Sequence, residues 1–152
     1  MIDTDTERFT IGVFQDVAWA AAGLAALKQA GFPPESLTIL AKDTPDAAAL
    51  IEKSLGAAGD RLEVPGIGSV AARGALVAAL QGSEGELTKR GMAASMRRAG
   101  FQPHDGRIFE TLTGRGGVLV AVRGEPRAAD ALALLHSYGG GNAAIGAWTG
   151  RL

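Results

Sequence analysis

The segment PGIGSVAARG, residues 65–74, carries the residue types most suited to binding chemistry. Gly66 and Gly68 precede Ser69, and Arg73 follows about one helical turn later. If the segment opens a helix, its first backbone N–H groups have no partner inside that helix and can hold a phosphate or another anion. The dinucleotide-binding pattern is GxGxxG between a strand and a helix, and these glycines do not follow it. The segment therefore predicts an anion-binding site at Gly66, Gly68, Ser69 and Arg73.

A packing role is the other interpretation of this segment, and we favour it. Gly66, Val70, Gly74 and Ala78 recur every four residues, so they would share one face of a helix over residues 65–80. A face of small side chains lets a second helix approach closely. The pattern therefore predicts a Gly/Ala-rich helix that packs inside the protein.

Catalytic chemistry has little support in the sequence. His136 is predicted near the C-terminal end of a helix, where a cation interacts favourably with the helix dipole. His104 with Asp105 and Glu110 would suit zinc or iron by residue type, but their spacing matches no metal motif, so we expect solvated side chains in a turn. No nucleophile elbow, Walker loop or HExxH motif occurs. We predict a protein that is not an enzyme, with no catalytic residues, no metal and no cofactor.

Composition narrows the class of protein further. The chain has 152 residues, with 15 basic and 16 acidic side chains and no cysteine. Near-neutral charge argues against a dedicated nucleic-acid binder, and the lack of cysteine excludes disulfide scaffolds, zinc–thiolate sites and iron–sulfur clusters. Glycine supplies 22 residues, about twice its usual share of ~7%. We expect a single domain over residues 1–152 whose elements pack closely through small side chains.

No targeting or membrane segment is visible in the sequence. The start, MIDTDTER, has three acidic residues and one basic residue, the opposite of a signal peptide. The longest apolar stretch, residues 64–82, is interrupted in its middle by Arg73, and a spanning helix needs ~20 apolar residues. We therefore expect a cytoplasmic protein without a membrane span.

The elements that position these residues repeat one plan at the two ends of the chain. FTIGVF (residues 9–14) is a predicted buried strand, residues 17–30 a helix, and SLTILAK (residues 36–42) a second strand. Near the C-terminus, GVLVAVR (residues 117–123) is a strand, followed by a helix that ends at Gly139.

The candidate last strand is AAIGAW, residues 143–148. The two ends therefore predict two βαβ units in an α+β sandwich of ferredoxin-like type. Residues 43–116 form a Gly/Ala-rich helical insert between the units, and Trp19 is expected in the core.

Three stretches together resemble the bacterial heat-induced or general-stress-protein family, the YflT-like domain. They are FTIGVF with the following Ala-rich helix and SLTIL, then PGIGSVAARGALVAAL, then FETLTGRGGVLVAV. The middle stretch is the most specific of the three. The resemblance implies a stress-linked protein without an active site.

Two functions from different classes follow. The first is a non-catalytic stress-associated protein that acts by self-association or by binding a protein partner. The alternative is a regulatory module of ferredoxin-like type that senses a small ligand or an anion. Because FTIGVF and GVLVAV contain no lysine to protect an edge, SLTIL or AAIGAW is expected at the sheet border. We predict a homo-oligomer, with a symmetric dimer favoured and Trp148 near the contact.

Overall fold

The computed structural model describes residues 9–99, 101, 103–123, 128–137 and 144–145. Within these residues the predicted α+β class is confirmed. A 3-10 turn, Pro34–Ser36, precedes the second strand. The strands are β1 Phe9–Phe14, β2 Leu37–Lys42, β3 Asp60–Val64, β4 Gly68–Arg73, β5 Val118–Arg123 and β6 Ala144–Ile145. The helices are α1 Val17–Gln29, α2 Pro45–Leu55, α3 Ala75–Gln81, α4 Glu86–Arg90, α5 Met92–Arg98, α6 Pro103–Gly114 and α7 Ala128–Ser137.

The strands form one sheet in the order β3-β4-β2-β5-β1-β6, with every neighbouring pair antiparallel. Because β1 and β2 both run antiparallel to β5, which lies between them, they are parallel to each other. The predicted strand–helix–strand order of residues 9–42 is confirmed. Of the two strands named for the sheet border, SLTIL is interior, since β2 pairs on one side with β4 and on the other with β5, whereas AAIGAW contains β6, which ends the strand order.

Helices cover both faces of the sheet. On one face α1, α2 and α7 place Leu24, Ile51 and Leu135 against Ile39 and Val120 of the central strands. On the other face, helices α3 to α6 supply a second apolar core that includes Leu80, Met96 and Phe109. Central strands covered on both faces are apolar at nearly every position, which accounts for the nearly continuous apolar runs in β1 and β5.

The predicted helix over residues 65–80 is wrong in its first part. Val64 C=O accepts a hydrogen bond from Ile67 N–H at 3.0 Å, and Gly66 has φ +89°. Proline followed by a glycine of positive φ at the two central positions is the pattern of a type II turn. This turn joins β3 to β4, and the helix begins only at Ala75. The insert over residues 43–116 is therefore not purely helical, because it adds a hairpin to the sheet.

The start of α3 is fixed by a contact with β2. The buried hydroxyl of Thr38 accepts a hydrogen bond from Leu76 N–H at 3.0 Å, which satisfies one of the free donors of the helix. Gly74, with φ +133°, is the residue before the helix, and its backbone lies directly on Thr38. The small residue at position 74 is thus required by a close approach of two backbone segments, and not by a helical stripe.

Other local predictions also need correction. Trp19 was expected in the core, but 47% of its surface is exposed, because it lies on the outer side of α1. The predicted helical insert is also interrupted at Gly91, whose φ of +94° separates α4 from α5. His104 was expected in a turn and lies in the first turn of α6. Trp148 lies outside the described residues.

Candidate binding site at the sheet edge

Strand β3 forms one border of the sheet. Among the described residues, β3 pairs with β4 and with no other strand. Its sequence, DRLEV, alternates charged and apolar residues from Arg61 to Val64. We call this strand, with its unpaired side, the β3 edge.

The direction of the backbone groups follows from the ladder on the other side of β4. Ser69 C=O accepts a hydrogen bond from Asp43 N–H at 3.0 Å, so the polar backbone groups of Ser69 point towards β2. In an antiparallel ladder, successive residues direct these groups to opposite sides. Those of Val70 therefore point towards β3, where Leu62 is its partner in the register.

The unpaired groups of the β3 edge consequently belong to the residues beside Leu62. Since Leu62 directs its N–H and C=O at β4, Arg61 and Glu63 direct theirs away from the sheet. A row of free donors and acceptors of this kind is a template for another strand.

The side chains of β3 divide between the two faces of the sheet. Val64 is buried and Leu62 is half-buried, and both pack into the core beneath α3 to α6. Arg61 and Glu63 point to the opposite face. There Arg61 Nε lies 2.6 Å from Asp43 Oδ2, although 75% of the Arg61 side chain is exposed. The hydroxyl of Ser69 donates a hydrogen bond to Glu63 Oε2.

A cleft of about 800 Å³ opens beside the β3 edge. Its charged side chains are Arg73, Glu35 and Asp60, and Arg73 Nη1 donates a hydrogen bond to Ala58 C=O at 3.3 Å. The remaining described lining is mostly apolar and consists of Pro34, Leu37, Leu55, Leu62, Gly74, Val77, Ala78 and Gln81. Such a mixture of one guanidinium, two carboxylates and an apolar wall suits binding of an amphiphilic ligand or segment.

The four residues predicted as an anion site are not brought together. Gly66 lies in the turn between β3 and β4, and a Cβ atom added there would be 2.5 Å from Glu110 Oε2, so this turn faces a carboxylate. Gly68 and Ser69 begin β4, whereas Arg73 ends it, about 17 Å from Gly68 and about 14 Å from Ser69 at ~3.4 Å per residue. The prediction required a helix start at residue 66, and the hairpin removes it.

Two further sequence hypotheses concern metals and membranes. Among the described residues, no group of three or more histidine and acidic side chains is placed to hold a metal ion. His104 is exposed on α6. No helix in the described ranges has the length and apolar character required to cross a bilayer.

The sequence motifs did not predict the residues of the β3 edge as functional. The available signal was the alternation in DRLEV, which is typical of a strand with one buried face.

Comparison of the chain with protein-family models, with curated proteins and with solved structures finds no match in any of the three.

Proposed function

We propose that this protein acts without catalysis, as a stress-associated protein that self-associates or binds a protein partner. The observation that carries the proposal is the β3 edge, where the N–H and C=O groups of Arg61 and Glu63 are unpaired beside the half-buried Leu62. Addition of a strand to such an edge is a common mode of protein recognition.

The proposal includes a ferredoxin-like arrangement for the two ends of the chain. It is supported by the neighbouring strands β2-β5-β1-β6 and by α1 and α7, which pack on one face. In such sandwiches the second face of the sheet is available for association. Here helices α3 to α6 cover that face, so association is assigned to the sheet border.

The link to stress rests on the three sequence motifs that resemble the general-stress-protein family. It predicts that the protein accumulates in the cytoplasm when cells are heated. Quantitative immunoblotting of cytoplasmic extracts before and after heat shock tests this link, and an unchanged level would contradict it.

Self-association is tested by light scattering coupled to size-exclusion chromatography. The expected mass at micromolar concentration is twice the chain mass of 15.5 kDa. A mass of 15.5 kDa across that range would contradict self-association and leave partner binding as the remaining form of the proposal.

Ligand sensing is a second candidate function, favoured by the cleft that contains Arg73. A ligand that binds only the folded protein raises its stability, by about 2.7 kcal/mol at a concentration of 100 Kd. Thermal melting in the presence of a panel of carboxylates and phosphates tests this candidate. A ligand that raises the Tm of the native protein but not of Arg73→Gln would support it, and no response to any of the panel would count against it.

A further inference from the structure

We propose that two copies of this chain pair through their β3 edges, antiparallel and about a two-fold axis at Leu62. The inference rests on the self-association proposed above and names its surface and register. The paired strands would join two sheets into one continuous sheet. Three independent features of β3 support this register.

The first feature is the direction of the backbone groups. With Leu62 opposite Leu62 of the second copy, Arg61 lies opposite Glu63, and Glu63 lies opposite Arg61. Both of these residues direct their N–H and C=O outward. Each Arg61–Glu63 pair can therefore exchange both of its backbone hydrogen bonds, so the unpaired groups of the edge are satisfied.

The second feature is charge. Opposite charges placed directly across two strands are favourable, and like charges are unfavourable. A two-fold axis at Arg61 would place arginine opposite arginine. An axis at Glu63 would place glutamate opposite glutamate, and it would set Arg61 against Pro65, which has no N–H. The axis at Leu62 alone gives two arginine–glutamate pairs.

The third feature is the accessibility of the charged side chains. Asp43 contacts the Arg61 guanidinium and Ser69 contacts the Glu63 carboxylate on the same face of the sheet. The Arg61 side chain is 75% exposed and Glu63 is also exposed, so both charged groups are accessible to a second copy. The guanidinium has donors left for a second carboxylate. On the other face the two half-buried Leu62 side chains meet at the axis and complete each other's burial.

Charged residues on a border strand usually prevent pairing between chains. On the β3 edge, the charges of Arg61 and Glu63 disfavour pairing about an axis at either of these residues. Only the Leu62-centred register places each charge opposite one of the other sign. The charges thus select a closed dimer over an open chain of sheets.

The experiment exchanges the charges of the pair and measures dimer dissociation by light scattering and sedimentation. Arg61→Glu and Glu63→Arg each place like charges opposite one another in a homodimer, and each is expected to raise the Kd about tenfold or more. An equimolar mixture of the two variants restores both opposite-charge pairs in the heterodimer and is expected to recover the native Kd. Arg97→Glu, an exposed reversal on α5, is the control and should leave the Kd unchanged.

The outcomes separate this inference from the proposed function. A native protein that is monomeric at all concentrations would overturn both the inference and self-association. A native dimer whose Kd is unaffected by either single variant would overturn the β3 pairing alone. Weakened single variants that keep the native circular-dichroism spectrum and Tm, but whose mixture does not recover, would also overturn it, because the Leu62-centred register requires that recovery.

Discussion

Replacement of Gly74 by alanine tests how the hairpin and α3 are joined. Gly74 has φ +133°, a conformation that residues with a Cβ rarely adopt. An added Cβ would lie 2.5 Å from Thr38 Cα and 2.7 Å from the carbonyl oxygen of Leu37, and closer still to the Thr38 hydroxyl. Two of these three atoms belong to the backbone of an interior strand, so they cannot move aside as a flexible side chain would.

The expected loss of stability has two parts. The strained φ costs of order 1–3 kcal/mol. Overpacking against β2 costs a further 1–3 kcal/mol, as a typical range for forced insertion of a methyl group. Displacement of Thr38 would also remove the acceptor for Leu76 N–H. We expect Gly74→Ala to lower the free energy of unfolding by about 2–6 kcal/mol, within a typical total of ~5–15 kcal/mol.

The matched control is Gly68→Ala at the other end of β4. Gly68 has φ +107°, but a Cβ added there would meet no atom within 4 Å. The control therefore carries the conformational penalty without the contact. Urea unfolding monitored by circular dichroism should place Gly74→Ala below Gly68→Ala by about 1–3 kcal/mol. Equal stability of the two variants would refute the proposed close approach of residue 74 to β2.

Three further changes test the packing of the core and of α1 by the same unfolding measurement. Thr38→Val keeps the shape of the side chain but leaves Leu76 N–H without its acceptor, and should cost about 1–2 kcal/mol; an unchanged stability would show that the cap is dispensable. Gly23→Ala should destabilise by about 1 kcal/mol despite the better helix propensity of alanine, because its Cβ would lie 2.6 Å from Phe14 Cζ; a gain in stability would contradict that contact. Trp19→Ala should cost less than about 1 kcal/mol because the ring is half exposed, and a loss of ~3–5 kcal/mol would mean that the ring belongs to the core.

The central strands were predictable because their environment is the same on both faces. FTIGVF and VLVAVR contain no alternation, and a strand buried on both faces requires none. The start of α1 follows a similarly local rule, because aspartate is a preferred N-cap residue and the Asp16 carboxylate accepts the hydrogen bond from Trp19 N–H at 2.9 Å.

The β3–β4 hairpin was not predictable by the same rules. The same residues fit two patterns. Glycine and alanine spaced by four residues are compatible with one face of a helix, and the glycine, valine and alanine residues of β4 are equally compatible with a strand. A turn at Pro65–Gly66 favours the strand over the helix. Such a turn makes a hairpin only if DRLEV pairs with the residues that follow, and this pairing is not visible in the local sequence. The exposure of Trp19 could not be predicted for a related reason. An Ala-rich helix has no distinct polar face, so the sequence does not indicate which side of α1 faces outward.

The most direct test of the account is a single cysteine at the proposed two-fold axis. The native chain has no cysteine, so Leu62→Cys introduces the only thiol. Opposite residues that are not hydrogen-bonded to each other lie ~4.5 Å apart between Cα atoms, within the range that a disulfide spans. Mild oxidation at micromolar concentration is expected to convert most of Leu62→Cys to a covalent dimer on non-reducing gels, whereas Thr111→Cys, exposed on α6, should remain monomeric on the gel. Equal cross-linking of the two variants, or none in either, would contradict pairing at the β3 edge.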